Sequence, residues 1–171
     1  VVCTRPGLSS IKTTTTGEVH AGAGAACAKV ARYSARAGLS GAEFMAGIPG
    51  TVGGALAMNA GAYGGETWDI VNRVEVLGRD GRLEIRTRAE FRAGYRSVSL
   101  GENEWFTSAV FELSPGDPVT VKDMIRTVLN DRSRSQPIGN ASAGSVFRNP
   151  TDDHAARLIE SAGLKGRRVG G

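Results

Sequence analysis

The chain has 171 residues, of which 40% are hydrophobic and 22% charged, and its formal net charge is +4. That length can bury a real core as one domain or two small ones, and the balance of residues excludes a disordered or fibrous class. No apolar run reaches the length of a membrane helix and the start, Val1-Val2-Cys3-Thr4-Arg5, lacks a basic segment followed by an apolar one, so a cytoplasmic protein with no membrane partner is expected.

In chain order, residues 10–24 predict a β-hairpin, with the β-branched run Thr13–Thr16, a turn at Gly17 and an extended Val19-His20-Ala21. Gly22-Ala23-Gly24 leads into a predicted helix from Cys27 to about Ala37, with Gly38 as its C′ residue. Strand, G-x-G and helix imitate a dinucleotide-binding turn. The third glycine is replaced by Cys27 and no β-rich run ends in a suitably placed acid, so the turn is read as structural.

Ala46–Glu66 carries seven glycines in twenty-one residues, spaced as in a shaped backbone rather than a flexible linker. Glycine permits φ > 0 and close approach, and Pro49 fixes one φ and removes one donor. The N–H groups of Gly50, Thr51, Val52, Gly53 and Gly54 are expected to point into one concavity suited to an anion. A glycine-rich connection between packed elements explains the same glycines equally well.

Arg73–Leu77 and Arg82–Arg86 alternate at period two about the turn Gly78-Arg79-Asp80-Gly81, which predicts a hairpin with one wet face. Glu104–Leu113 reads as a more buried strand, and Ser114-Pro115-Gly116-Asp117-Pro118 is taken as a domain boundary, giving domains 1–116 and 117–171. Val121, Met124, Ile125, Val128 and Leu129 predict one buried stripe of an amphipathic helix. Asp152 is the expected N-cap of a last helix over 153–162, stopped by Gly163.

Residues 1–117 hold twelve Lys/Arg and twelve Asp/Glu, against nine and five in 118–171, so the basic excess lies in the last third. A pocket for a diphosphate fits this better than a nucleic-acid surface, because neither a polybasic run nor interleaved aromatics are present; a solvated basic face is the plainest alternative. Cys3, Cys27, His20 and His154 lack metal-ligand spacing, so reduced thiols and no metal are expected.

The string G-I-P-G-T-V-G-G-A-L-A-M-N-A-G-A-Y-G-G-E, with Gly94-Tyr95-Arg96-Ser97 and Ala143-Gly144-Ser145-Val146-Phe147-Arg148-Asn149-Pro150 in the same order, resembles the UDP-N-acetylenolpyruvoylglucosamine reductase family. The resemblance runs from about Val19 to Gly171. It implies an α+β chain: the second lobe of a two-lobed FAD-binding domain of PCMH/vanillyl-alcohol-oxidase-like fold, then an α+β substrate-binding domain. Family members extend further at both ends, where a first flavin-binding lobe and a catalytic glutamate lie, so an internal fragment is expected. The compact subclass is favoured.

The resemblance implies FAD and NADPH as cofactors, a nucleotide-sugar substrate and a monomer. By position, Gly47, Ile48, Gly50, Thr51, Gly53, Gly54, Ala57, Asn59 and Ala62 would bind the flavin. Arg96 would hold the substrate carboxylate and stabilise the enolate, a task that suits a planar, permanently charged fork. Ser145 would be the general acid, although its local sequence alone reads as a turn serine. Tyr95 would pack beside Arg96, with Arg148 and Asn149 in the substrate loop, where lysine is common in the family at the position of Arg148. Another FAD oxidoreductase of this fold and a non-catalytic nucleotide-sugar-binding protein are the alternatives.

Overall fold

The computed structural model describes residues 7–14, 17–135 and 146–169. Its main sheet has five antiparallel strands: β1 (Ile11–Thr13), β2 (Val19–Gly22), β3 (Val71–Gly78), β4 (Leu83–Thr87) and β5 (Glu104–Phe111), in the order β1-β2-β5-β3-β4. Both predicted hairpins form. Gly17 turns the first at φ 83°, and the second pairs Leu77 with Leu83 and Arg73 with Thr87. The long-range pairs join them, since β5 lies between β2 and β3, with Phe111 opposite both Val19 and Val71. This antiparallel sheet with its separate helices agrees with the α+β expectation, and a parallel dinucleotide-binding sheet is absent among the described residues.

Central position explains the apolar character of β5. Every residue from Phe106 to Phe111 is buried, with Ala109 and Phe111 fully so. Burying a side chain such as Phe111 or Leu56 contributes about 1.5–3 kcal/mol. At the edge, β4 leaves Leu83 and Ile85 exposed, but its charges discourage edge pairing. Arg86 there donates to Glu84 and Glu104 at 2.7 and 2.6 Å and holds the Glu104 carboxyl below its ordinary range.

The described residues also form four α-helices: α1 (Cys27–Arg36), α2 (Val52–Met58), α3 (Pro118–Ser135) and α4 (Ala155–Ser161). Gly38 follows α1 at φ 71°, the left-handed C′ position expected of it. α1 and α3 pack against each other and against a 3-10 turn at Glu43–Gly47, while α2 lies against β5 and β2. Val121, Ile125 and Val128 are the buried stripe of α3, joined by half-buried Leu129; Met124, expected in the stripe, is 48% exposed. No helix among the described residues is long and apolar enough to cross a membrane.

Two compact units result, Val1–Gln136 and Pro137–Gly171. The expected boundary position, 116/117, lies at the start of α3 and inside the first unit. Asp117 accepts from the Thr120 N–H at 2.8 Å and Pro118 opens the helix, so this breaker cluster is an N-terminal cap whose helix packs back on the first unit. In the second unit, α4 starts at Ala155 rather than 153, with His154 at its N-cap in place of Asp152. The Ala155 N–H finds its acceptor on Asn149 Oδ1 at 3.1 Å, a partner six positions upstream.

Candidate functional site

Two glycine-bearing stretches meet in the first unit. Ala26 and Thr51 form an antiparallel bridge, in which the Cys27 N–H donates to the Gly50 carbonyl at 3.0 Å and the Val52 N–H to Ala25 at 2.8 Å. Gly53 adds a bond to the Ala23 carbonyl at 2.8 Å. Gly50 donates to Ile48 at 3.0 Å, and Gly54 donates to the N-cap Thr51 Oγ1 at 3.4 Å. The expected nest of free amides is therefore corrected, because four of its five donors already have acceptors inside the protein. The G-x-G turn and the residue after it supply two of these acceptors, Ala23 and Ala25, which gives the turn a structural role.

Space sorts the glycines more sharply than hydrogen bonding does. A Cβ at Gly47 would lie 2.8 Å from the Tyr63 ring, and one at Gly53 would lie 3.0 Å from the Ala23 Cβ. These two are bare so that neighbouring parts of the protein can close on them. Gly50 would meet nothing within 4 Å and Gly54 only Thr51 Oγ1 at 3.8 Å, and neither has a positive φ. Both are exposed, as is Ala57 on the same outer side of α2, whose opposite side buries Val52, Ala55 and Leu56. Packing and backbone conformation leave their lack of a side chain unexplained, and the open backbone there has room for close approach of a ligand. Of the remaining expected flavin residues, Ile48 is in the core, Thr51 is half-buried at the N-cap, and Ala62 pairs with Gly65.

Asn59, Tyr63 and Arg96 are the non-glycine residues with positive φ among the described residues, at 41°, 52° and 51°. All three fall within the motifs selected from sequence, and such strain gathers where surrounding structure holds it for a purpose. Tyr63 and Gly64 turn the Ala62–Gly65 pair with both central φ values positive. Tyr95 and Arg96 turn the Gly94–Ser97 pair, with Arg96 at the position usually held by glycine. The Arg96 guanidinium carbon stands 5.9 Å from the Tyr95 ring centre.

Asn59 joins these turns from inside. It is 5% exposed and ends α2 in the left-handed conformation. Its Oδ1 accepts from the Trp68 N–H at 3.1 Å; its Nδ2 donates to Glu66 at 2.8 Å and to the Gly94 carbonyl at 3.4 Å. Sequence reading assigns no role to Tyr63, Glu66 or Trp68; the Tyr-Gly pair before a glutamate is the local signal of the first turn. Trp68 packs against Phe91 and Phe106 at centroid distances of 4.8 and 5.8 Å and donates its indole N–H to the Leu56 carbonyl at 2.8 Å.

Cys27 is a free buried thiol, as expected, and burial pushes it up to about 12; Cys3 lies outside the described residues. No His/Cys/Asp/Glu cluster able to hold a metal occurs among the described residues.

Within the second unit, Phe147, Arg148, Asn149, Leu158 and Ile159 line a shallow depression. Asn149 is committed to the start of α4, through the Ala155 N–H and a 3.3 Å contact of Nδ2 with His154 Nδ1, whereas Arg148 is exposed. Ser145 lies outside the described residues.

Residues 5–86 match the family model of the FAD binding domain, and residues 136–171 match that of the UDP-N-acetylenolpyruvoylglucosamine reductase C-terminal domain. The UDP-N-acetylenolpyruvoylglucosamine reductase of Alkalilimnicola ehrlichii is 57% identical over 99% of the chain and 57% of that relative's length. That of Methylococcus capsulatus is 53% identical over 100% of the chain and 56% of its own length. The chain thus spans about half the length of the curated relatives it matches. Among solved structures, the UDP-N-acetylenolpyruvylglucosamine reductase of Thermus caldophilus superposes with a TM-score of 0.81 at 38% identity, covering 88% of this chain and 56% of that one.

Proposed function

The chain belongs to the UDP-N-acetylenolpyruvoylglucosamine reductase family, and we propose that it serves the FAD-dependent, NADPH-driven reduction of UDP-N-acetylglucosamine enolpyruvate to UDP-N-acetylmuramate, a step of peptidoglycan synthesis. The observation that carries this reading is the outward bareness of Gly50 and Gly54, a surface that a side chain would fill and a flat cofactor can use. FAD held there would supply the hydride chemistry that links NADPH to the enolpyruvyl substrate. Gly50, Gly54 and Ala57 offer close contact. Gly47, Ile48, Gly53, Asn59 and Ala62 shape the backbone beneath, and Thr51 fixes the start of α2.

Arg96 holds the substrate carboxylate and opposes the negative charge that grows on it as the enolate forms. The left-handed φ that aims its turn is the strain cost of this placement. Tyr95 shields one side of the guanidinium. Ser145 donates the proton that completes the lactyl ether, and Arg148 and Asn149 belong to the loop that receives the nucleotide-sugar diphosphate. The same reading makes the partner a small nucleotide sugar, with no nucleic acid and no membrane, and the protein a cytoplasmic monomer.

The test separates two half-reactions in the intact protein. In the Ser145→Ala variant, flavin reduction by NADPH is expected to persist while reoxidation by the enolpyruvyl substrate falls by about 10²–10⁴-fold, the usual range for a general acid. Unchanged reoxidation would remove Ser145 from the chemistry; a protein that retains no flavin would remove the reading itself.

A further inference from the structure

We propose that Asn59 is a positioning residue for Arg96, its carboxamide holding the Gly94 carbonyl so that the Tyr95-Arg96 turn keeps its strained form. The inference rests on the role proposed above for Arg96. Three observations meet in it. The Asn59 carboxamide is buried and its orientation is set, because Oδ1 accepts from the Trp68 N–H at 3.1 Å and so Nδ2 must face the other way. Both Nδ2 protons then have acceptors, Glu66 Oε2 at 2.8 Å and the Gly94 carbonyl at 3.4 Å. Gly94 is the residue that enters the turn, paired with Ser97 across Tyr95 and Arg96.

A two-residue turn with an arginine at φ 51° does not favour that form by itself. The glycine-rich stretch supplies the restraint from thirty-five positions away. Asn59 also suits its own place, since asparagine tolerates the left-handed φ of 41° better than most residues. The flavin stretch and the substrate arginine are thereby joined through one side chain, so that ordering either element orders the other.

The experiment needs a variant that folds and loses the donors alone. Asn59→Asp keeps the oxygen that accepts from Trp68 and the tolerance for positive φ, but turns an acceptor toward Gly94. Combining it with Glu66→Gln avoids facing two carboxylates and lets the glutamine amide donate in the reverse sense, so that the link to Gly94 is the one lost. Backbone hydrogen exchange would be followed in the intact protein over residues 91–99 and over β3 and β5, with both flavin half-reactions measured on the same samples.

In the double variant, exchange across 93–98 is expected to quicken by up to about tenfold, the scale of one hydrogen bond, while β3 and β5 are unchanged. Reoxidation by substrate should slow by a similar factor, and by more than any slowing of reduction by NADPH. A merely structural role would slow both half-reactions equally or loosen the sheet as well. Unchanged exchange in 93–98 overturns the proposal, and so does faster exchange with unchanged reoxidation. An unsubstituted protein that fails to reoxidise with substrate would refute the reading of Arg96 instead, and the exchange data would still decide whether Asn59 holds the turn.

Discussion

Gly53 donates its amide proton to the carbonyl oxygen of Ala23 at 2.8 Å, and a Cβ on Gly53 would stand 3.0 Å from that of Ala23. The first turn of α2 thus rests directly on the turn between β2 and α1. Gly54, one residue on, faces away from this contact and meets only Thr51 Oγ1.

Neighbouring glycines should therefore respond in opposite directions. Gly53→Ala crowds a backbone contact and should lower stability by about 1–3 kcal/mol. Gly54→Ala adds a better helix former into open space and should raise stability by about 0.5–1 kcal/mol. Denaturant midpoints of the two variants check this, and an equal loss in both would show that Gly54 too is required by packing.

Arg96→Asn should separate stability from activity. Asparagine relieves the left-handed strain at φ 51°, so the variant should be as stable as the parent or more so, by about 1 kcal/mol. Substrate-driven flavin reoxidation should fall by about 10²-fold or more, since the permanently charged fork proposed to hold the substrate carboxylate is gone. Loss of stability together with activity would mean that Arg96 holds the fold rather than the substrate.

Trp68→Phe retains an aromatic ring against Phe91 and Phe106 but leaves the Leu56 carbonyl without its indole donor. The Leu56 carbonyl keeps the Asn59 N–H at 3.3 Å, so loss of the indole donor should cost about 0.5–1.5 kcal/mol, read as a lower denaturant midpoint with an unchanged m-value.

Much of the fold is legible in the sequence because its signals are local. The alternation of 73–77 and 82–86 fixes a hairpin, and the spacing of Val121, Ile125 and Val128 fixes the buried side of α3. What escapes a linear reading depends on distant partners. The amides of Val52 and Gly53 look free until Ala25 and Ala23, almost thirty positions upstream, are folded against them. The breaker cluster at 114–118 caps a helix instead of ending a compact unit, because the stripe of α3 finds its cover on α1 and the Glu43–Gly47 turn. Asp152 has the right chemistry for an N-cap, but the chain places Asn149 at the first amide of α4. At the candidate site the motif residues are readable, whereas the division of the glycines into packed and open ones requires three dimensions.

Burial of Cys27 gives a pH dependence with a definite sign. Its thiol is pushed from the ordinary 9.0 up to about 12, so the folded state keeps it neutral while the unfolded chain ionises it earlier. The stability this confers is fully present below pH 9.0 and is lost as pH rises toward about 12. Denaturant midpoints across that range should fall more steeply in the parent than in a Cys27→Ala variant, and the thiol should resist alkylation until unfolding. Rapid labelling of the native protein would contradict the buried, neutral state.

The most direct test is the visible spectrum of the protein after incubation with FAD and desalting, compared with Gly50→Leu and Gly54→Leu variants whose folding is verified separately. A retained and perturbed flavin band in the parent, lost or weakened by about tenfold in affinity in both variants, is the predicted result. A flavin that desalts away from the parent, or one held equally well when both open glycines carry leucine, would contradict a cofactor seated on this surface.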